Sequence, residues 1–384
     1  MDTFEKGTFG YDLQFLLDRD NLVVLSCDEG KAQLIVSPGY QGKVFTSTAD
    51  GLEGKSLGYL NYNVLSSDKI DEQMNGYGGE NRFWLGPEGG RYSIFFKPGA
   101  EQVFPNWHTP KPIDIEPWAV VASGKKSVSL EKEMSVSNYQ GSELKVKINR
   151  TVKLNESTNV KSMLGITPDE RVKQIAYTTE NSITNLNDFA WTNETGTVCI
   201  WILDMFNPAP RSLTIVPYVE GSEDSLGVIV TSDYFGEIPT DRFIVRNGNM
   251  FLKTDGKYRS KIGLNVKRTK AIAGNYDPDT KRLTITTFDV DRNATYLNQE
   301  WNPTKDPLIG DALNAYNDGP LEDGSIMGPF LELESCSPGA FISPGESLTH
   351  NHHVFHFIGE ERDLSPITEM LFGVTIDEIK NVFL

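Results

Sequence analysis

The sequence is poor in cysteine, histidine and positive charge, and it has no long hydrophobic run. Its three cysteines, Cys27, Cys199 and Cys336, stand far apart in 384 residues and never in CxxC spacing. That excludes a zinc ribbon and a disulfide-dense scaffold, and leaves buried free thiols as the default. No stretch of about 18 apolar residues occurs, so no membrane-spanning helix is expected. Lys and Arg number 36 against 53 Asp and Glu, a formal charge of −17. A field of that sign repels phosphate backbones, and nucleic acid is not an expected partner. The opening residues MDTFEKGTFGYDL lack the basic start and apolar stretch of a secretory signal. The chain as written therefore reads as cytoplasmic, or as periplasmic where a leader has been removed. GxSxG and HExxH are absent too, so serine-hydrolase and zincin chemistry have no support.

What is present points to a large β protein. Hydrophobic residues make up 38% of the chain, with 20 Phe, 14 Tyr and 6 Trp, enough for an extensive core and too many for disorder. Alternation with period two runs through Asn21–Ser26, Ala32–Val36, Tyr92–Phe96, Ser127–Val136, Leu144–Leu154, Val198–Leu203, Leu213–Val219, Val228–Thr231 and Arg282–Phe288, each of which reads as a strand. Asp277, Pro278 and Asp279 between two β-branched runs read as a hairpin turn. Helices are expected only at the periphery: Tyr11–Arg19, a segment from Ser365 with Pro366 at its first position to Gly373, and a last one opened by the capping-box pair Thr375 and Glu378. With no linker and no repeat of 20 to 50 residues, the expectation is one all-β domain over residues 1–384. It would be a large antiparallel β-sandwich with short C-terminal helices at about 365–383.

Four groups of residues could carry chemistry. Residues 75–92, NGYGGENRFWLGPEGGRY, interleave six glycines with Asn75, Tyr77, Arg82, Trp84 and Glu88. The third glycine of GxGxxG is missing and no GK[ST] follows, so a phosphate loop is disfavoured. An aromatic face beside guanidinium and carboxylate groups suits a sugar ring and its hydroxyls. In GPFLELESC, Glu332 and Glu334 share one strand face, about 7 Å apart, a separation seen in acid/base pairs. Four of the five histidines, His350, His352, His353 and His356, follow closely. The His352/His356 spacing imitates a helical metal site, but VFHF is β-like, and hydrogen-bonded strand histidines are the simpler reading. Asp289, Asp291, Asn293 and Glu300 imitate a calcium loop without its glycine. In YRSKIG, Arg259 and Lys261 lie on one strand face, available to a hydroxyl or carboxylate. No metal and no cofactor is expected.

Taken together, GYGGENRFWLGPEGG, the LELES strand, the following SPGESL and the hairpin YDPDTKRL resemble the galactose-mutarotase-like (aldose 1-epimerase-like) superfamily, in a bacterial branch of it. The resemblance implies a β-supersandwich whose concave face binds a carbohydrate. It also implies that a glutamate on a late strand, before a PG-containing turn, takes the anomeric hydroxyl proton while a histidine protonates the ring oxygen. Glu334 matches that glutamate, with Glu332 the alternate. The histidine positions differ: His-Gly-Gly is replaced by Tyr77-Gly78-Gly79, and the mid-chain histidine falls within Leu203-Asp204-Met205-Phe206-Asn207. Tyr77, Asp204, His108 or a C-terminal histidine would have to supply the acid. The expected function is therefore a carbohydrate-active protein, an isomerase of the mutarotase type if active. Glu334 is its base, and Asn75, Tyr77, Arg82, Trp84, Glu88, Arg259, Lys261, Glu332 and His350 contact the sugar or oligosaccharide. The alternatives are a non-catalytic carbohydrate-binding protein, or a glycoside hydrolase or lyase using Glu332/Glu334 or Glu88 with Glu334.

Overall fold

Strands with one apolar face gain most by stacking two sheets face to face, and this sequence does so on a large scale. A computed structural model, which describes residues 4–67, 69–321 and 323–384, arranges eighteen strands among those residues into two antiparallel sheets. Numbered along the chain, the first sheet has the order β1 (Val23–Cys27), β2 (Ala32–Ser37), β3 (Lys43–Thr48), β4 (Asn81–Gly86), β9 (Cys199–Phe206), β17 (Leu331–Cys336), β16 (Asp311–Asn317) and β13 (Ser260–Asn265). The second has the order β11 (Phe243–Arg246), β12 (Asn249–Lys253), β10 (Leu213–Pro217), β14 (Ile272–Asp277), β15 (Arg282–Phe288), β18 (Ser347–Ile358), β8 (Lys173–Asn185), β7 (Glu143–Asn155), β6 (Ser127–Ser137) and β5 (Ala119–Ser123).

The largest core lies between the sheets, where Val36, Phe83, Ile202 and Leu333 of the first meet Val146, Ile148, Ile183 and Val354 of the second. A strand that packs on one face and meets water on the other alternates in burial. Strands β6 and β7 do so, but all residues of β4, β9 and β17 are buried. The outer face of the first sheet is therefore covered by loops at its centre, and that cover positions the site.

Helices are few and peripheral. Phe9–Leu17 is capped by Thr8, whose hydroxyl accepts from the Tyr11 N–H, and Thr375 with Glu378 forms the capping box expected of the last helix, Ile376–Lys380. The helix before it spans Glu361–Phe372, starting four residues ahead of Ser365. Glu361 and Asp363 in its first turn suit the positive end of the helix dipole, and Pro366 sits one turn in. Two expected strands are loops. Tyr92–Phe96 is bent, because Ser93 spends its hydroxyl on the local backbone and Tyr92, Phe95 and Phe96 all turn inward. Of Val228–Thr231, only Thr231 pairs, bridging to Gly263 at the free edge of β13.

Candidate functional site

Strand alternation puts Glu332 and Glu334 on one side of β17 and Leu331, Leu333 and Ser335 on the other. Residues paired across antiparallel strands share a face, so the register extends the outer side outward. Glu334 is opposite Asn314 and Leu203, and Glu332 is opposite Tyr316 and Met205. Leu203 is in turn opposite Arg82, Trp201 opposite Trp84, and Tyr316 opposite Lys261. Hydrogen-bond register alone thus brings Arg82, Trp84, Lys261, Glu332 and Glu334 together across five strands.

Glu334 is held tightly on one side only. Its Oε2 accepts from Lys261 Nζ at 2.9 Å and from Trp201 Nε1 at 2.9 Å. Its Oε1 is buried and has no partner among the described residues. Arg82 makes an ion pair with Glu332 through Nη2 and lies 5.3 Å over the Trp84 ring, while its Nε is likewise buried and unpartnered. Two orphaned polar atoms on one face, an acceptor and a donor, suit a ligand carrying hydroxyls. Burial raises the Glu332 carboxyl above its ordinary range, with Arg82 opposing and Glu334 adding to the rise. Desolvation pulls the Lys261 ammonium down, but Glu334 and Glu88 outweigh it and hold the amine above its usual value.

Glu88 reaches the same place from the glycine-rich loop after β4, its backbone N–H anchored on Gln299 Oε1 at 3.1 Å. Burial pushes its carboxyl up to about 7; Lys261 opposes the rise, Glu334 adds to it, and Arg259 and a hydrogen bond from Trp301 oppose it. Trp84 is only 5% exposed, packed against Trp201, Phe95 and Trp107. It is a wall beneath Arg82 rather than an open platform. Trp301 is half-buried, stacked 6.2 Å from Trp107 and bonded to Glu88, and gives this side of the site its accessible aromatic face. Arg259, just before β13, donates from Nε to Tyr316 Oη at 3.2 Å and stacks 3.8 Å from the Phe235 ring.

Three expected contacts lie apart from this group. Asn75 spends its amide on Asp114, Nδ2 to Oδ2 at 2.8 Å. Tyr77 packs at the flank, its ring 5.1 Å from Lys43 Nζ, with burial lifting its hydroxyl to about 12. His350 is on the wrong side of the sheet: fully buried between the two sheets, its Nε2 meets Ser335 Oγ at 2.8 Å, and Ser335 points away from Glu334. His352 and Asp204 are there too, bonded to each other at 2.6 Å, as is His356 on Glu80. His108 sits in a loop with Nδ1 on the Glu72 carbonyl. Neither these histidines nor Asp204 faces Glu334. Among the described residues no group of three His, Cys, Asp or Glu side chains is placed to hold a metal ion.

Four neighbours have no signature in the sequence. Trp201 and Trp301 are ordinary aromatics until register and loop path bring them to Glu334 and Glu88. Lys43, nearly fully buried on β3, is pushed down to about 7 by burial, with Asp114 opposing and Arg82 adding. Asp311 is aimed by a bulge: Leu264 pairs with Leu313 but Asn265 pairs with Asp311, so Ala312 is skipped. Asp311 Oδ2 accepts from Tyr234 Oη at 2.5 Å, and burial lifts its carboxyl to about 6 against that bond. Alternation counted along β16 would have put Asp311 on the other face.

The architecture has solved counterparts. The Slr1438 protein of Synechocystis sp. PCC 6803 aligns over 94% of this chain and 100% of its own, with TM-score 0.53 and 14% identity. A candidate aldose 1-epimerase of Escherichia coli K12 covers 88% of this chain and 98% of its own at TM-score 0.50 and 14% identity. A galactose mutarotase-like protein of Lactobacillus casei ATCC 334 covers 88% and 100% at TM-score 0.50 and 10% identity. Likeness at such identities shows the fold, which is the galactose-mutarotase-like one expected from the glycine-rich segment and the LELES strand. No curated protein matches the chain. Residues 7–383 match the model described as family of unknown function (DUF6786), and the chain belongs to that family.

Proposed function

We propose that the loop-covered outer face of the first sheet binds a sugar ring and moves protons on it, with Glu334 as general base and Glu88 as general acid. The observation that carries this reading is the pairing of unlike carboxyls. Glu334 is buried, fixed by Lys261 and Trp201 through Oε2, and keeps Oε1 unspent. Glu88 feels the charge of Glu334 and is carried by burial to about 7. A carboxylate fixed by two donors with one oxygen unspent suits a base, and a carboxyl lifted by burial suits an acid. On an aldose, Glu334 Oε1 would take the proton of the C1 hydroxyl while Glu88 delivers one to the ring oxygen. The C1–O bond of the ring then opens to the aldehyde, and closure on the other face returns both protons. Arg82 Nε is free to donate to a hydroxyl, and Trp301 offers an apolar face to the ring. The fold shared with a candidate aldose 1-epimerase supports the same reading.

A second reading, binding without turnover, is favoured by one residue. Leu203 lies directly opposite Glu334, within the segment where the family resemblance expects a histidine. Two-dimensional exchange NMR on a panel of aldoses separates the two. Catalysis is expected to raise anomer interconversion above the spontaneous rate, and Glu334→Gln to lower the gain by roughly 10²–10⁴-fold. Tight binding with no rate increase would leave the binding-only reading; no binding at all would remove both.

A further inference from the structure

The cations of the outer face are not equally satisfied. Arg82 is paired with Glu332, and Lys261 with Glu334. Lys43 is withdrawn, 3% exposed beneath Tyr77. Arg259 is half-buried and makes no ion pair with a described residue, although Glu88 and Asp318 both feel its charge. It is nevertheless fixed. Its guanidinium lies 3.8 Å from the Phe235 ring, its Nε donates to Tyr316 Oη at 3.2 Å, and Tyr316 in turn donates to Asp318 Oδ1 at 3.0 Å. Phe235 is 43% exposed and sits edge-on to Tyr316 at 5.9 Å. That ring covers one face of the guanidinium and helps hold it in place.

A guanidinium stacked on one face and tied at Nε keeps both Nη groups, the pair of donors that matches two oxygens of a planar anion. Bracing also removes much of the rotamer entropy that capture of a ligand would otherwise cost. The ligand most complementary to one such fork beside carboxyl groups is a singly charged carboxylate. A doubly charged phosphate would meet Glu88 and Asp318 with one guanidinium to balance it.

We infer that the sugar taken by this site carries a carboxylate, as a hexuronic acid does, and that Arg259 holds that carboxylate in a two-pronged contact while the ring lies over Glu334. The inference rests on the sugar-binding reading of the outer face. Phe235 and Tyr316 act as positioning residues, since they fix Arg259 without touching the ligand's charge.

Calorimetric titration of the full chain with D-galacturonate and D-glucuronate, beside D-galactose, D-glucose and the two hexose 6-phosphates, tests it. The uronate is expected to bind roughly ten- to a hundredfold tighter than its parent hexose, the gain of a charge-assisted hydrogen bond. Arg259→Gln should bring that ratio close to one, and Arg259→Lys, a point charge without the fork, should keep only part of it. Phe235→Ala should lower the ratio without abolishing it. Equal affinity for uronate and parent, a ratio unchanged in Arg259→Gln, or tighter binding of the phosphate would each overturn the inference while the sugar-binding reading stands. If none of the sugars binds, both fall together.

Discussion

At the scale of residues, what distinguishes Glu88 from Glu334 is their surroundings. Glu88 is half-buried and carried to about 7 by burial, while Lys261 and Arg259 limit the rise. An acid must enter the reaction protonated, so kcat/KM is expected to fall as pH rises through about 7. Glu88→Gln should remove that alkaline limb along with roughly 10²–10⁴ of the rate. A pH profile of anomer exchange checks this, and the same limb surviving in Glu88→Gln would assign it to another group. Much of this site could be read from residue types: Arg82, Glu88, Arg259, Lys261, Glu332 and Glu334 all stand in segments whose composition was already unusual. Trp201 and Trp301 could not, since an isolated tryptophan in an apolar strand or a loop carries no sign of what it will face.

At the scale of elements, the site depends on how β13, β16 and β17 are phased. Period two put Glu332 and Glu334 on one face and kept Lys261 with them, because β17 is regular and Lys261 precedes the irregular step of β13. The skipped Ala312 breaks that rule for Asp311, and no count along the sequence reveals a bulge. Gly263 makes room for the result. A Cβ at residue 263 would overlap Asp311 Oδ2 and approach Tyr234 Oη to 2.7 Å. Gly263→Ala is therefore expected to cost about 1–3 kcal/mol through overpacking and to loosen the loop around Tyr234. Urea unfolding reads the cost, and an unchanged midpoint would show that the Asp311–Tyr234 contact is dispensable. The histidines teach the complementary lesson. The alternation of β18 was legible, but which face would be interior was not: that was decided by the second sheet, on which His350, His352 and His356 turn inward while His353 bonds Thr178.

At the scale of the whole molecule, the two sheets are joined by a buried polar chain as well as by hydrocarbon. Arg150 of β7 donates to Asn81 Oδ1 of β4 and to Asn181 Oδ1 of β8. Asn81 Nδ2 then bonds Asp204, Asp204 meets His352, and Ser335 lies between His352 and His350. Asn81 and Ser335 are the chain neighbours of Arg82 and Glu334, so this network steadies the site from behind. Arg150→Ala should cost about 1–3 kcal/mol or more of stability in denaturant titration, because it leaves buried amide and carbonyl oxygens without a donor. A loss under about 1 kcal/mol would contradict the linkage. Burial, with His352 and His353 adding, lowers His350 to about 3. The unfolded chain takes up a proton at this residue below about 6.5 and the folded chain does not until about 3. Stability is therefore expected to rise with pH across that window, by up to about 1.4 kcal/mol per pH unit from this one group. Acid titration of His350→Gln should show a shallower slope than the parent, and equal slopes would remove the assignment. The most direct test of the whole account is a crystal structure of the protein soaked with the tightest-binding sugar of the panel. The account predicts ring density on the outer face of the first sheet, with hydroxyls about 3 Å from Glu334 Oε1 and Arg82 Nε. Density instead in the separate cavity of about 500 Å³ beside Trp191 and Phe341, or none on the outer face, would contradict it.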